Sequence, residues 1–231
     1  EPSPPPRLPL ITPVIPRQDP FGKDRAVTGS PFSFYQWPAS WVWPVASHPD
    51  EPIVFGARLD FILARDEKVK IHVSADQRFE LFLDGERFAR GPELSDIAHW
   101  MYASFELGLA AGPHRLAARI WYAADQAGYA QQTVRGGFLC AGAGDGGERF
   151  HTGKAPWRLK KIGGYRLNRR KQIWLAPPRQ DVDLSLVEPD WIEAERGWEA
   201  PQVGPTARTE FGTDTTPLWV LHPAHQPPHP P

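Results

Sequence analysis

Residues 69–92, VKIHVSADQRFELFLDGERFARGP, predict two β-strands with a turn at each end. Apolar residues alternate with polar ones on both sides of the tetrapeptide Ser-Ala-Asp-Gln, residues 74–77, and this alternation is typical of half-buried strands. The alternating positions are Val69, Ile71 and Val73 before the tetrapeptide and Phe79, Leu81 and Leu83 after it. Asp84-Gly85 then predicts a type I′ hairpin, because these two residue types tolerate the positive φ angles of that turn.

The composition indicates a folded chain without a strong net charge. The 231 residues are 41% hydrophobic, which is enough for the core of one large all-β domain or of two modest ones. Lysine and arginine number 26 and aspartate and glutamate 27, so the formal net charge is −1. No apolar run reaches the 18 or so residues of a transmembrane helix. We therefore expect neither a nucleic-acid partner nor a membrane span.

Strand candidates follow one another at short intervals, and helical periodicity is almost absent. This pattern predicts an all-β fold, an antiparallel β-sandwich or jelly roll of the galactose-binding-like type. Prolines crowd both ends, with eight of them in residues 1–20, and predict extended termini. We divide the chain into a proline-rich extended segment (1–36), a β-sandwich domain (37–176), additional strands or a strap (177–221), and a proline-rich linker to a missing downstream domain (222–231).

No residue pattern singles out a catalytic centre. Hydrolysis of a glycoside needs two opposed carboxylates, and the aspartates here fall at strand ends and turns, where they bond to backbone amides. These aspartates are Asp60, Asp66, Asp76, Asp84, Asp96 and Asp125. Cys140, the single cysteine, lies in an apolar run that predicts a buried packing thiol, and no G-x-S-x-G motif marks a nucleophilic serine. We therefore predict no catalytic residue.

Ten tryptophans are a high load for this length and allow two interpretations. Large aromatic rings anchor sheets from the core, and they also stack on the C–H faces of sugars. Core or interface packing is predicted for Trp41, Trp43, Trp157, Trp191 and Trp198. For Trp100, Tyr102, Trp121 and Tyr122 both packing and sugar contact stay open.

The motifs around this region resemble a known family. The order Ser40-Trp41-Val42-Trp43-Pro44, then residues 74–85 (SADQRFELFLDG), Arg90-Gly91-Pro92 and Trp100-Met101-Tyr102 is similar to the N-terminal β-sandwich region of bacterial α-L-rhamnosidases, glycoside hydrolase family 78. The family form of the central motif is close to A-D-x-R-Y-x-L-Y-V-N-G. Phe79, Phe82 and Asp84 depart from it without harm to the turn. The resemblance covers residues 37–162 and continues more loosely to residue 223.

The resemblance implies a role outside the catalytic step. In this family an inverting reaction belongs to an (α/α)6 barrel that follows the β-sandwich region, and no such barrel occurs in this sequence. It implies a non-catalytic accessory region of a larger enzyme, with that catalytic domain of the same parent chain as its partner and rhamnose-containing glycans as candidate ligands. No cofactor is expected. The alternatives are a self-standing carbohydrate-binding module, which requires exposed aromatic rings, and a protein-interaction domain.

Some sandwich domains of such enzymes bind L-rhamnose through a calcium ion held by an Asp-Asn pair. Asp76 matches the aspartate, whereas Gln77 departs from the asparagine. The resemblance therefore makes Asp76 a candidate calcium ligand and, with the neighbouring Arg78, a candidate sugar contact. The location stays open: a proline-rich leading segment before a glycan-acting module favours export to the periplasm or medium, while one free cysteine also fits the cytoplasm.

Overall fold

The computed structural model describes residues 9–21, 26–29, 32–127, 132–168, 179–209 and 219–226. In these ranges the chain is all-β, as predicted, and its only helical pieces are 3₁₀ turns at Ile97–His99, Ala124–Gln126 and Gly147–Phe150. The strands are β1 (Leu10–Val14), β2 (Ala26–Gly29), β3 (Phe32–Trp43), β4 (Ile53–Leu63), β5 (Glu67–Asp76), β6 (Arg78–Leu83), β7 (Glu86–Gly91), β8 (Trp100–Leu109), β9 (Gly112–Tyr122), β10 (Gly137–Ala143), β11 (Arg158–Lys161), β12 (Tyr165–Asn168), β13 (Arg179–Val182), β14 (Gln202–Thr209) and β15 (Leu221–Pro223).

The larger sheet closes on itself. Its strands pair in the order β8, β15, β14, β3, β10 and β5, and β5 pairs back with β8. The proline-containing strand β1 pairs antiparallel with β8 of this closed ring of strands, and β2 pairs with β3. This strand pairing does not decide the predicted segment boundaries, which stay predictions. Many of the terminal prolines lie outside the described residues.

The second sheet has five antiparallel strands in the order β11, β4, β9, β6 and β7. A separate two-stranded ribbon pairs β12 with β13. The predicted hairpin joins β6 to β7: Leu83 pairs with Glu86, and Asp84 and Gly85 have φ angles of 51° and 86°. Two positive φ angles in a row are those of a type I′ turn, so the Asp-Gly prediction is confirmed.

The chain changes sheets in the stretch quoted first. Strand β5 ends at Asp76 in the ring, and β6 begins at Arg78 in the five-stranded sheet. Odd-numbered residues of both strands, such as Ile71, Val73 and Phe79, lie in the main core between the two sheets. Asp76 and Arg78 therefore lie close in sequence but point their side chains into different regions.

A second core occupies the opposite face of the ring strands. It is rich in aromatic rings: Trp37, Trp41, Trp43, Trp100, Tyr102 and Trp219. Trp41 and Trp219 stack with their ring centroids 4.1 Å apart. Core packing is confirmed for Trp41, Trp43, Trp157 and Trp191, which are buried, while Trp198 is half-buried against Trp191. The predicted burial of Cys140 is also confirmed.

None of the helical turns in the described ranges has the length and apolar character needed to cross a bilayer.

Candidate functional site

Five of the six residues predicted to contact a ligand fall into two separate regions, and the sixth lies in the main core. Asp76, Trp100 and Tyr102 belong to the ring and its aromatic core. Arg78 and Trp121 pair directly across β6 and β9 in the other sheet. Tyr122 points to the opposite face from Trp121 and lies in the main core. The structure therefore does not bring the six predicted residues into one site.

The Asp76 carboxylate is surrounded by hydrogen-bond donors. The Thr133 hydroxyl donates to both oxygens, at 2.7 and 2.8 Å. The amides of Val134 and Arg135 donate to Oδ2 at 2.8 and 3.2 Å. The indole N–H of Trp219 donates to the same oxygen at 3.0 Å. We call this group the Asp76 centre, and it joins the end of β5 to the chain before β10 and to the approach to β15.

Burial governs the electrostatics of the Asp76 centre. Asp76 is fully buried, and this burial raises the pKa of its carboxyl to about 6, although the surrounding donors act in the opposite direction. In the described ranges no cationic side chain forms an ion pair with it. The charged form is therefore stabilised by hydrogen bonds alone.

The Asp76 centre does not fit a calcium ion. Calcium takes six to eight oxygen ligands, whereas the Asp76 oxygens face N–H and O–H donors that a cation would have to displace. The neighbouring Gln77 side-chain oxygen accepts from the amide of Ala123 at 3.0 Å. In the part of the chain that the structure describes, no cluster of three or more metal-ligating side chains occurs. Calcium binding stays a prediction to which these contacts lend no support.

Three of the four predicted aromatic contacts are interior rings. Trp100, Tyr102 and Tyr122 are 5%, 1% and 3% exposed. The Trp100 indole donates to the Ser74 hydroxyl at 3.1 Å, and Tyr102 packs edge-on against Trp37 at 4.8 Å. Such contacts favour packing for these three rings. Their role in sugar contact stays a prediction, and only Trp121 is half-buried.

A shallow pocket lies beside the Asp76 centre. Gln77, Trp100 and Gln132 line it together with residues 92–95. The Gln77 side-chain amide nitrogen is buried without a hydrogen-bond partner among the described residues. The Glu93 carboxylate at the rim accepts from the amide of His225 at 2.8 Å. The pocket offers polar groups to a small ligand but little depth.

The second region lies on the face of the five-stranded sheet that points away from the main core. Arg78 pairs with Trp121, and Glu80 pairs with Arg119 one step along the same two strands. Arg119 donates to Glu80 Oε2 at 2.5 Å, and its guanidinium carbon lies 4.9 Å from the Trp121 ring centroid. An arginine thus lies between a carboxylate and an aromatic ring.

Strand β7 adds two more arginines because its pairing with β6 is irregular. Arg90 pairs with Glu80, and after a register shift Arg87 pairs with Phe82. Both arginines therefore reach Glu80: Arg87 donates to Oε1 at 2.9 Å, and Arg90 Nε lies 3.6 Å from the same oxygen. We call Arg78, Arg87, Arg90 and Arg119, with Glu80 and Trp121, the arginine face.

The other carboxylates and the cysteine have structural contacts. Asp66, Asp84 and Asp96 accept hydrogen bonds from backbone amides at 2.9, 2.8 and 2.9 Å. Asp60 pairs with Arg58 at 3.0 Å. Burial raises the pKa of the Cys140 thiol, which disfavours the thiolate. These groups behave as parts of the scaffold.

Sequence reasoning missed the partners of both regions. Thr133 and Trp219 lie 57 and 143 residues from Asp76, and no local pattern marks them. The arginine face had a visible signal, since Arg87 and Arg90 flank an apolar pair in a short strand. That signal does not identify a shared face, because the register shift that places both side chains on one face is not visible in the sequence.

The sequence matches no protein-family model and no curated protein. Solved structures do match. A rhamnosidase of glycoside hydrolase family 78 from Bacillus sp. GL1 superposes with a TM-score of 0.66 at 22% identity, over 81% of this chain and 20% of the other. The α-L-rhamnosidase from Dictyoglumus thermophilum gives a TM-score of 0.57 at 13% identity, over 83% and 23%.

The α-L-rhamnosidase from Aspergillus terreus gives a TM-score of 0.53 at 12% identity, over 73% of this chain and 21% of that enzyme. At sequence identities this low, the match shows only that the fold is shared. The chain spans about a fifth of the length of each enzyme. The resemblance predicted from the motifs is confirmed at this level: the chain shares its fold with one region of glycoside hydrolase family 78 α-L-rhamnosidases.

Proposed function

We propose that this chain is the non-catalytic accessory region of an α-L-rhamnosidase-like glycoside hydrolase, which supports the catalytic barrel and contacts glycan. The observation that carries this proposal is the fold match, in which 81% of the chain superposes on 20% of a rhamnosidase. The finer fold assignment, a jelly roll of the galactose-binding-like type, is part of the same proposal. The partner is then an (α/α)6 domain of the same parent chain, and the parent is exported.

The state of the carboxylates supports a non-catalytic role. A glycosidase needs an acid and a base or nucleophile that face each other across the scissile bond. Asp60 and Glu80 are held by arginines, and Asp76 is buried among donors. A carboxylate held in this way is not available to act on a substrate as an acid, a base or a nucleophile.

Two measurements test this proposal together. The purified chain is assayed with an aryl α-L-rhamnoside, and the native polypeptide is weighed intact in its source. We expect no hydrolysis by the chain and a native mass far above 25.9 kDa, with rhamnosidase activity in the longer protein. Turnover by the purified chain, lost on substitution of one of its own carboxylates, would overturn the proposal.

A self-standing carbohydrate-binding module is the second candidate, and the arginine face favours it. This face has a half-buried tryptophan beside exposed polar groups, the combination that sugar-binding surfaces use. A native mass near 25.9 kDa, together with sugar binding by the isolated chain, would select this alternative.

A further inference from the structure

We infer that the arginine face binds anionic glycans, whose carboxylate or sulfate groups are held by its guanidinium groups. This inference rests on the proposed glycan contact and names the substrate class.

The arginine face has an excess of positive charge. Glu80 is its single carboxylate, and three arginines share it, with nitrogen–oxygen distances of 2.9 Å for Arg87, 3.6 Å for Arg90 and 2.5 Å for Arg119. Arg78 is exposed and forms no hydrogen bond or ion pair with any residue that the structure describes. Four guanidinium groups against one carboxylate leave three positive charges on one sheet face. A surface of this kind attracts an anion.

The guanidinium groups have more N–H donors than the Glu80 carboxylate can accept. Each carries five N–H donors in a fixed plane, whereas the Glu80 carboxylate has two oxygens. The side chains of Arg87 and Arg90 are 35% and 49% exposed. A second carboxylate or a sulfate would satisfy donors that Glu80 does not reach.

The central arginine is held in place before any ligand arrives. The Arg119 guanidinium lies 4.9 Å from the Trp121 ring centroid and 5.9 Å from that of Phe82. Its Nη1 donates to the Tyr165 hydroxyl at 3.1 Å. Phe82 in turn packs edge-on against Trp191 at 5.7 Å. A group fixed by such contacts loses little conformational entropy on binding, and this favours affinity.

The layout of the sheet suits a sugar chain. Arg90 pairs with Glu80, and Arg78 lies two residues from Glu80 on the same face of β6. Diagonal neighbours of this kind are about 7–8 Å apart, so they can hold charged groups on neighbouring sugar units. The half-buried Trp121 beside Arg78 offers an apolar surface for the C–H face of a ring. This combination of stacking surface and guanidinium groups favours a charged glycan over a plain anion.

The test is a calorimetric titration of the full chain at low ionic strength. The probes are trigalacturonic acid, the same trisaccharide with its carboxyl groups reduced to alcohols, a sulfated galactose oligosaccharide, and a neutral rhamnose-containing disaccharide. We expect trigalacturonic acid or the sulfated oligosaccharide to bind at least about tenfold more tightly than the reduced trisaccharide, because charged hydrogen bonds are the stronger ones. The preferred anion identifies the charged group. Added salt should weaken that binding.

The variant pair Arg78→Gln/Arg90→Gln locates the site. Both side chains are exposed, so the fold should be retained, which circular dichroism checks. The matched control is Arg17→Gln/Arg65→Gln, which removes the same charge from two exposed arginines elsewhere. We expect the first pair to weaken anionic-glycan binding at least about tenfold, and the control to change it less than about twofold.

Several results would overturn the inference. They are an absence of binding to both anionic probes, equal binding of the reduced trisaccharide, equal loss in the control pair, and equal affinity for citrate, a plain anion of the same charge as trigalacturonic acid. Binding of the neutral rhamnose disaccharide alone, indifferent to both variant pairs, would also overturn it. That last result would leave the proposed function intact, and the two proposals therefore fail separately. The reduced probe on the unsubstituted chain keeps the test decisive if a variant misfolds.

Discussion

The Asp76 centre and the arginine face begin two residues apart in the sequence and differ in almost every physical respect. Asp76 is fully buried, and its carboxylate is matched by donors from distant parts of the chain. Arg78 is exposed, and the face around it has more donors than acceptors. A polar group whose partners are all internal holds a fold together, whereas one with unmet donors is available to a ligand. If the arginine face binds glycan as proposed, stability and recognition separate at the point where the chain changes sheets.

The largest expected effect is on the Asp76 centre. Asp76→Ala leaves the donors of Thr133, Val134, Arg135 and Trp219 without their acceptor in a buried place. We expect the free energy of unfolding to fall by about 3–5 kcal/mol, measured by chemical denaturation.

The matched control is Asp76→Asn, which keeps one oxygen. Val134, Arg135 and Trp219 all donate to Oδ2, so an amide oxygen at that position keeps these three bonds, and its nitrogen can donate to the Thr133 oxygen. We expect a loss below about 1.5 kcal/mol. Equal losses for the two variants would contradict a hydrogen-bonding role.

The next effect is a pH dependence. Burial raises the pKa of Asp76 from its ordinary 3.8 to about 6, so between these values the folded protein binds more protons than the unfolded chain. The contribution of Asp76 to the free energy of unfolding therefore falls as the pH rises from about 4 to about 6, by up to about 3 kcal/mol. Chemical denaturation of the unsubstituted protein and of Asp76→Asn across this pH range should show that fall only in the unsubstituted protein. Parallel profiles would contradict it.

A smaller effect is expected at Glu80. Its substitution by Gln removes the shared charge from Arg87, Arg90 and Arg119, which then repel one another at a half-buried place. We expect a loss of about 1–2 kcal/mol in thermal or chemical unfolding. Glu106→Gln is the comparison, because Glu106 pairs at 3.9 Å with the exposed Lys68 and should cost less than about 0.5 kcal/mol. A smaller loss at Glu80 than at Glu106 would count against the shared ion pairs.

The smallest effect on stability is expected from Arg78→Gln/Arg90→Gln. Both residues are exposed, so the free energy of unfolding should change by less than about 0.5 kcal/mol, as for other surface positions. A loss of several kcal/mol would make the arginine face part of the scaffold and remove the contrast with Asp76.

The fold was predictable where its signals are local. Alternating apolar residues and Asp84-Gly85 predicted β5, β6 and the hairpin, because side-chain period and turn conformation depend on neighbours in sequence. Burial of Trp41 and Trp157 followed from ring size. The family motif in the same stretch led to the enzymes that share the fold.

The candidate site was less predictable because its partners come from far along the chain. The sequence singles out Asp76, but no local pattern connects it with Trp219, 143 residues away. Arg78 and Trp121 are both candidate sugar contacts from the sequence, yet only the strand register shows that they pair with each other. Trp100 and Tyr122 are of the residue types that contact sugars on protein surfaces. Only the packing of the two sheets shows that both side chains are buried in the protein.

The most direct test of this account follows the indole N–H signals of Trp121, Trp100 and Trp219 by NMR during titration with the anionic probe, trigalacturonic acid or the sulfated oligosaccharide, that binds more tightly in calorimetry. Signals are assigned with single Trp→Phe variants. The account predicts that the Trp121 signal shifts with the ligand, while the signals of Trp100 and Trp219 stay in place because their N–H groups are bonded to Ser74 and Asp76. Shifts at Trp100 and Trp219 with none at Trp121 would place ligand contact at the Asp76 centre and contradict the division of roles between the two regions.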